Sequence, residues 1–117
     1  MIDQTNTFLD LKDNRSKKTP KAKVRSMSIA VTSPCPESTI NELGIKQWPI
    51  WTCEPSSFPW TYSDKETCLI LEGDVTVTPD GGDPVRFGVG DLVVFPAGMS
   101  CTWEVHKAVR KHYRFGN

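Results

Sequence analysis

The sequence contains no run of about eighteen apolar residues, which is the length that a membrane-spanning helix needs. Its N-terminal stretch lacks the apolar segment of a secretory signal, so we expect no export. The four cysteines form no C-x-x-C pair and no spacing typical of a small disulfide framework. We therefore expect reduced thiols and an intracellular, reducing compartment.

Several common catalytic motifs are missing as well. The chain has no glycine-rich phosphate loop, no Ser-His-Asp ordering and no paired-carboxylate spacing. The histidines are His106, which we place in an exposed hairpin turn, and His112, which we place in the last strand. The sequence therefore does not predict phosphate-binding or triad chemistry.

Charge is distributed unevenly although the net charge is zero. Residues 1–25 carry seven basic and three acidic side chains, whereas the rest of the chain carries seven basic and eleven acidic ones. We predict a flexible basic arm over residues 1–23, because that stretch has no sustained periodicity, and one folded domain over residues 24–117. The folded part lacks a basic face, so we expect no direct nucleic-acid binding from it.

The folded part is predicted to be almost entirely β. Glu37–Leu43 is the exception, a short helical turn that Gly44 closes. Short apolar segments elsewhere alternate with Gly and Pro, which predicts strands over residues 24–31, 47–53, 67–78, 85–89, 92–95, 101–105 and 109–115. We predict a bend at Gly73-Asp74 and turns at residues 56–59, 79–84 and 105–108. Short, evenly spaced strands favour a closed double-sheet barrel.

Two spacings anchored on glycine stand out in the β region. Glu66 is followed after six residues by Gly73, and Gly90 is followed after five residues by Pro96-Ala97-Gly98. Together with the residues around Trp60 and Trp103, these spacings resemble the two short motifs of the cupin family. The resemblance covers about residues 26–115 and implies an RmlC-like jelly-roll barrel, also called a double-stranded β-helix.

The branch that the chain resembles contains the ureidoglycine aminohydrolase and ethanolamine-utilisation cupins and their uncharacterised plant and cyanobacterial relatives. This resemblance does not choose an activity, because one fold hosts many functions. It implies a homodimer, since small cupins commonly dimerise through sheet extension. The plant relatives imply the plastid stroma as an alternative to the cytoplasm.

The resemblance also identifies the positions where other cupins bind a metal through three histidines and a glutamate. Here these positions are Trp60, Tyr62, Glu66 and Cys101, so only the glutamate is retained. An indole offers no ligand lone pair, and a phenol, carboxylate and thiol set is unusual for any single metal. We therefore expect no metal cofactor, with weak divalent-metal binding as the alternative.

Strand parity places a candidate pocket inside the predicted barrel. The side chains that share the inward face should line it: Trp60, Tyr62, Glu66, Cys68, Cys101 and Trp103. An aromatic-walled cavity with one carboxylate suits a small polar metabolite. If the protein is an enzyme, Glu66 would act as acid or base, Tyr62 would orient the substrate or donate a proton, and Cys101 would line the site.

Other interpretations of these residues stay open at this point. The aromatic side chains can simply fill a small barrel, with Glu66 bonded to Tyr62 or a backbone amide. A Cys101–His112 pair would be a candidate nucleophile and base. The whole domain can also be a structural or interaction module with a vestigial pocket, since plant cupins of this kind are associated with plastid transcription complexes. The basic arm would then attach it to the larger assembly.

Overall fold

The computed structural model of the chain describes residues 28–116, so the predicted arm and residues 24–27 of the first predicted strand lie outside the described part. Seven strands and two short helices follow one another in the described part. They are β1 (Ala30–Thr32), α1 (Glu37–Leu43), a 3-10 helix (Ile45–Gln47), β2 (Ile50–Cys53), β3 (Ser56–Thr61), β4 (Glu66–Pro79), β5 (Val85–Gly88), β6 (Leu92–Phe95) and β7 (Ser100–Phe115). Neither helix is long and apolar enough to cross a membrane.

The strands form one antiparallel sheet that is organised around its two longest members. The order β1-β6-β4-β7-β2 gives the main path, while β3 also pairs with β7 and β5 also pairs with β4. The chain is therefore an all-β jelly roll, as the sequence predicted. The predicted helical turn is also confirmed, because α1 ends at Gly44 in the left-handed conformation, with φ of 65°.

Two of the predicted turns are wrong. Residues 56–59 belong to β3, which pairs with β7 from Ser56↔Val105 to Thr61↔Ser100. Pro59 is tolerated because β3 pairs on one side only, and an edge strand does not require every N–H for the sheet. Residues 105–108 are likewise not a hairpin turn but the middle of the continuous strand β7.

The predicted bend in β4 is confirmed at Gly73. The pairing of β4 with β7 shifts register three times between Ile70 and Val75, so the strand bends and continues instead of ending. Gly73 has φ of 119°, and a Cβ there would lie 2.8 Å from the Cα of Val109. Only glycine allows β4 to bend this close to β7.

The core lies between the inward faces of the curved sheet. Its centre is a cluster of aromatic rings in which Phe95 stacks on Tyr62 with ring centroids 4.8 Å apart. Trp103 and Phe87 complete the cluster, with their centroids 5.6 Å and 6.0 Å from that of Phe95. A second, smaller cluster of Cys35, Ile45, Leu69 and Leu92 packs the helical segment onto the outer face of the sheet. This packing leaves one end of the inner face open.

Candidate functional site

A cavity of about 200 Å³ opens at this end of the inner face. Its wall consists of seven aromatic side chains and two charged ones: Trp51, Phe58, Trp60, Tyr62, Glu66, Trp103, Lys111, Tyr113 and Phe115. Four strands contribute to it, namely β2, β3, β4 and β7, together with the segment that follows β3. The cavity is thus built by the tertiary fold and not by one local motif.

A buried ion pair forms the polar part of this cavity. Lys111 Nζ on β7 lies 2.7 Å from Glu66 Oε2 on β4, and the two side chains are only 5% and 4% exposed. The partner of Glu66 is therefore a charged group, Lys111, and not a backbone amide. Two opposite charges in one apolar cavity stabilise each other strongly, because little water screens them.

Two tryptophans hold the ammonium group of Lys111. Its Nζ lies 4.9 Å from the ring centroid of Trp51 and 4.6 Å from that of Trp103. Both distances fall within the range of a cation–π interaction. Trp51 contacts the ammonium because it pairs with Lys111 where β2 meets β7. Trp103 contacts it because Trp103 and Lys111 lie on the same inward face of β7. The ammonium is consequently fixed by one carboxylate and two rings.

Tyr62 lies beside this ion pair and is a second hydrogen-bonding group of the wall. Trp103 Nε1 donates a hydrogen bond to Tyr62 Oη over 3.2 Å. Burial raises the pKa of the Tyr62 phenol far above its usual range, and the negative charge of Glu66 adds to the effect. Tyr62 therefore stays protonated at any physiological pH.

Cys68 and Cys101, which we expected in the lumen, lie in the packed core and not in the cavity wall. Burial raises the pKa of Cys68 to about 12 and that of Cys101 to about 11. Cys101 Sγ donates a weak hydrogen bond to the Trp60 carbonyl oxygen at 3.6 Å. Both thiols are thus protonated at neutral pH, which disfavours either one as a nucleophile.

Comparison with known families identifies the family to which this fold belongs. The model of the EutQ-like cupin domain matches residues 40–113. The chain therefore belongs to the EutQ-like cupin family. A DUF861 family protein of Thermotoga maritima is 44% identical to this chain, with a TM-score of 0.72 over 75% of this chain and 99% of that one.

Two less similar solved structures share part of the fold. An ethanolamine utilization protein Q of Salmonella typhimurium is 27% identical, with a TM-score of 0.53 over 57% of this chain and 54% of that one. A protein of Rhizobium leguminosarum with unknown function is 25% identical, with a TM-score of 0.51 over 57% of this chain and 67% of that one. No curated protein matches the chain.

The cupin metal positions do not fit a divalent ion in this chain. Trp60 has no ligand atom, Tyr62 keeps its proton, and the Glu66 carboxylate is already bonded to a cation, Lys111 Nζ. Within residues 28–116, no group of three or more His, Cys, Asp or Glu side chains could hold a metal ion. The ammonium group supplies the positive charge beside the glutamate.

Four of the six side chains predicted for the pocket line the cavity: Trp60, Tyr62, Glu66 and Trp103. Sequence reasoning missed Lys111, Trp51, Phe58, Tyr113 and Phe115. The signal for Lys111 was present, because it shares its parity on β7 with Val109, which is buried.

The histidines lie outside the cavity wall. His112 lies on the other face of β7, where its Nδ1 is 2.9 Å from the Trp48 carbonyl oxygen. Cys101 faces the core at the opposite end of the same strand, so the Cys101–His112 pair does not form. His106 is exposed, as expected, and its Nε2 is 2.8 Å from Thr76 Oγ1.

Proposed function

We propose that this cupin binds a small, neutral, planar organic molecule in the aromatic cavity, without a metal. The observation that carries this proposal is the Lys111–Glu66 ion pair, which lies among aromatic rings where other cupins hold a metal. The cavity of about 200 Å³ suits a compact molecule of one ring or a short chain. Aromatic walls favour a flat ligand that stacks on them.

The charge balance of the cavity favours a neutral ligand. Lys111 and Glu66 cancel each other's charge, and Tyr62 stays protonated because burial raises its pKa. A cationic ligand would meet the ammonium group as a like charge, and an anionic ligand would meet the carboxylate. Either ion would lose its hydration without gaining an unpaired counter-charge, which is costly in an apolar site.

The hydrogen bonds of Lys111 favour a ligand with a carbonyl or similar acceptor. An ammonium group has three N–H donors. Within residues 28–116, Glu66 Oε2 is the one acceptor that bonds to it, and Nζ otherwise contacts the faces of Trp51 and Trp103. A ligand oxygen in the cavity would therefore complete the hydrogen bonding of the ammonium.

The charge of the cavity argues against an alkanolamine ligand for this chain. The Salmonella relative is described as an ethanolamine utilization protein, and an alkanolamine carries a positive charge in water. Such a cation would face Lys111 Nζ directly. We therefore do not extend that substrate to this chain, and we propose a neutral ligand instead.

A series of three matched ligands tests the proposal. Benzamide, benzoate and benzylammonium have one ring each and differ mainly in charge. We expect benzamide to perturb the indole NMR signals of Trp51 and Trp103, and benzoate and benzylammonium to bind at least about tenfold more weakly, since each buries an uncompensated charge. Tighter binding of benzylammonium would show that the cavity is a cation-binding aromatic cage and would contradict the proposal.

Variants of two exposed residues control for effects outside the cavity. Trp60 is 48% exposed and lines the cavity, so Trp60→Ala should weaken benzamide binding about tenfold. Val89 is more exposed and does not line the cavity, so Val89→Ala should leave binding unchanged. Equal effects of the two changes would mean that benzamide binds elsewhere.

An interaction module is the second candidate function. The observation in its favour is that several apolar side chains of the cavity wall are exposed, including Trp51, Trp60 and Phe115. Such a surface suits contact with another protein. The homodimer, the larger assembly and the plastid or cytoplasmic compartment stay predictions. If none of the three ligands binds, this second candidate becomes the better account.

A further inference from the structure

We propose that Lys111 forms a reversible imine with a small neutral aldehyde or ketone in the cavity. The inference rests on the proposed function, because it names a reactive carbonyl compound as the class of neutral ligand. Its chemical basis is the position of a primary amine and a carboxylate together in one apolar cavity.

The geometry presents Lys111 Nζ to the cavity in a fixed position. Lys111 and Glu66 both line the cavity, although each side chain is almost entirely buried. The rings of Trp51 and Trp103 flank the ammonium at 4.9 Å and 4.6 Å and restrict the otherwise flexible lysine side chain. A carbonyl group that accepts a hydrogen bond from Nζ is thereby placed with its carbon near the same nitrogen. Fixed proximity of this kind greatly accelerates bond formation.

Glu66 can move the protons that imine formation requires. An ammonium nitrogen has no lone pair, so Lys111 must first give a proton to a base. Glu66 Oε2 lies 2.7 Å from Nζ, within the range for direct proton transfer. The transfer converts two buried charges into a neutral amine and a neutral acid, which an apolar environment tolerates.

The reaction then balances with the residues present. The Nζ lone pair attacks the carbonyl carbon and forms the N–C bond, while the carbonyl oxygen takes the proton from Glu66. The nitrogen returns one proton to the Glu66 carboxylate, which gives a neutral carbinolamine. Glu66 next protonates the hydroxyl group, the C–O bond breaks, and water leaves as the C=N bond forms. The product is a protonated imine beside the Glu66 carboxylate, so the original charge pair is restored.

The chain offers a matched control for this chemistry on its surface. Lys46 and Glu37 also form a Lys–Glu pair, with Nζ and Oε2 3.5 Å apart, but their side chains are 68% and 67% exposed. Lys46 does not line the aromatic cavity, so that cavity cannot hold a carbonyl compound against it. The two lysines therefore differ in burial and in ligand placement while they share the same partner type.

Reductive trapping tests the proposal directly. The full-length protein is incubated with benzaldehyde and sodium cyanoborohydride, which reduces an imine to a stable secondary amine, and the labelled lysine is identified by peptide mass spectrometry. We expect Lys111 to be labelled at least about tenfold faster than Lys46, because the cavity holds the aldehyde against the amine. Equal or faster labelling of Lys46 would overturn the proposal.

Two variants separate the nucleophile from the proton carrier. Lys111→Arg should abolish the label at this position, because a guanidinium group does not form the imine. Glu66→Gln should slow labelling of Lys111 up to about 100-fold, since it removes general acid–base catalysis, and its circular dichroism should match that of the wild type. Labelling of Lys111 at the wild-type rate in a folded Glu66→Gln protein would contradict the role of Glu66.

The benzamide titration distinguishes failure of this inference from failure of the proposed function. Benzamide fits the same cavity but is too unreactive to form an imine. If benzamide binds and Lys111 is not labelled preferentially, the imine proposal is wrong and the ligand-binding proposal stands. If benzamide does not bind and Lys111 is not labelled preferentially, both are wrong.

Discussion

Lys111→Met is expected to lower the free energy of unfolding by about 3–5 kcal/mol, the usual cost of leaving one partner of a buried ion pair unpaired. Lys111 and Glu66 are almost completely buried, and their charged atoms lie 2.7 Å apart. Without the ammonium group, the Glu66 carboxylate would lie among aromatic rings with no cation beside it. Urea denaturation followed by tryptophan fluorescence would measure the loss, with the midpoint and the slope analysed separately.

The double variant Glu66→Met/Lys111→Met should be far more stable than the sum of the two single changes implies. Removing both charges leaves two flexible apolar side chains in an apolar cavity, a replacement that is often neutral or stabilising. The exposed pair provides the control: Lys46→Met should change the free energy of unfolding by less than about 1 kcal/mol. If Lys111→Met lowers the free energy of unfolding as little as Lys46→Met does, the buried pair is not formed in solution.

Gly73→Ala is expected to destabilise the protein by about 3 kcal/mol, because it combines backbone strain with a steric clash. Gly73 has φ of 119°, and the added Cβ would lie 2.8 Å from Val109 Cα and 2.9 Å from the Ala108 carbonyl oxygen. Both contacts involve backbone atoms, so no side-chain rotation can relieve them. Thermal and urea unfolding would measure the effect.

Gly81→Ala separates the conformational effect from the clash. Gly81 also has a positive φ, 75°, but nothing lies within 4 Å of a Cβ at this position. Its substitution should cost only about 1–2 kcal/mol, the usual penalty of the left-handed conformation for a residue with a side chain. If Gly73→Ala and Gly81→Ala cost the same, the close approach of β4 and β7 at Gly73 does not exist in solution.

Most of the fold could be predicted from the sequence because its turns depend on local chemistry. Gly44 ends the helix and Gly73 bends β4, each through a conformation that glycine adopts readily. The two wrong turns have a common physical cause. Residues 56–59 and 105–108 contain polar or proline residues that favour turns locally. Pairing with β7 holds residues 56–59 extended, and pairing of β7 with β4, which includes Asp74↔Lys107, holds residues 105–108 extended. Long-range pairing of this kind leaves little signal in a single sequence.

The candidate site was only partly predictable, for reasons that particular residues illustrate. Glu66 was found through its spacing to Gly73, and Tyr62 and Trp103 through parity. Lys111 was missed because a lysine in a strand is usually exposed. Nothing in the neighbouring sequence identifies Glu66 as the partner that stabilises the buried ammonium group. Trp51 was missed because its place in the wall follows from the pairing of β2 with β7, which brings together residues sixty positions apart in the sequence.

The metal content of the protein tests the central claim most directly, because that claim assigns the positive charge beside Glu66 to Lys111 and not to a metal ion. Untagged protein would be incubated separately with zinc, manganese, iron and nickel, freed of unbound ions and analysed by elemental mass spectrometry, beside the Glu66→Gln variant. The account predicts well under one bound metal per chain in each case, with no difference between wild type and variant. About one metal per chain in the wild type, lost in Glu66→Gln, would contradict it.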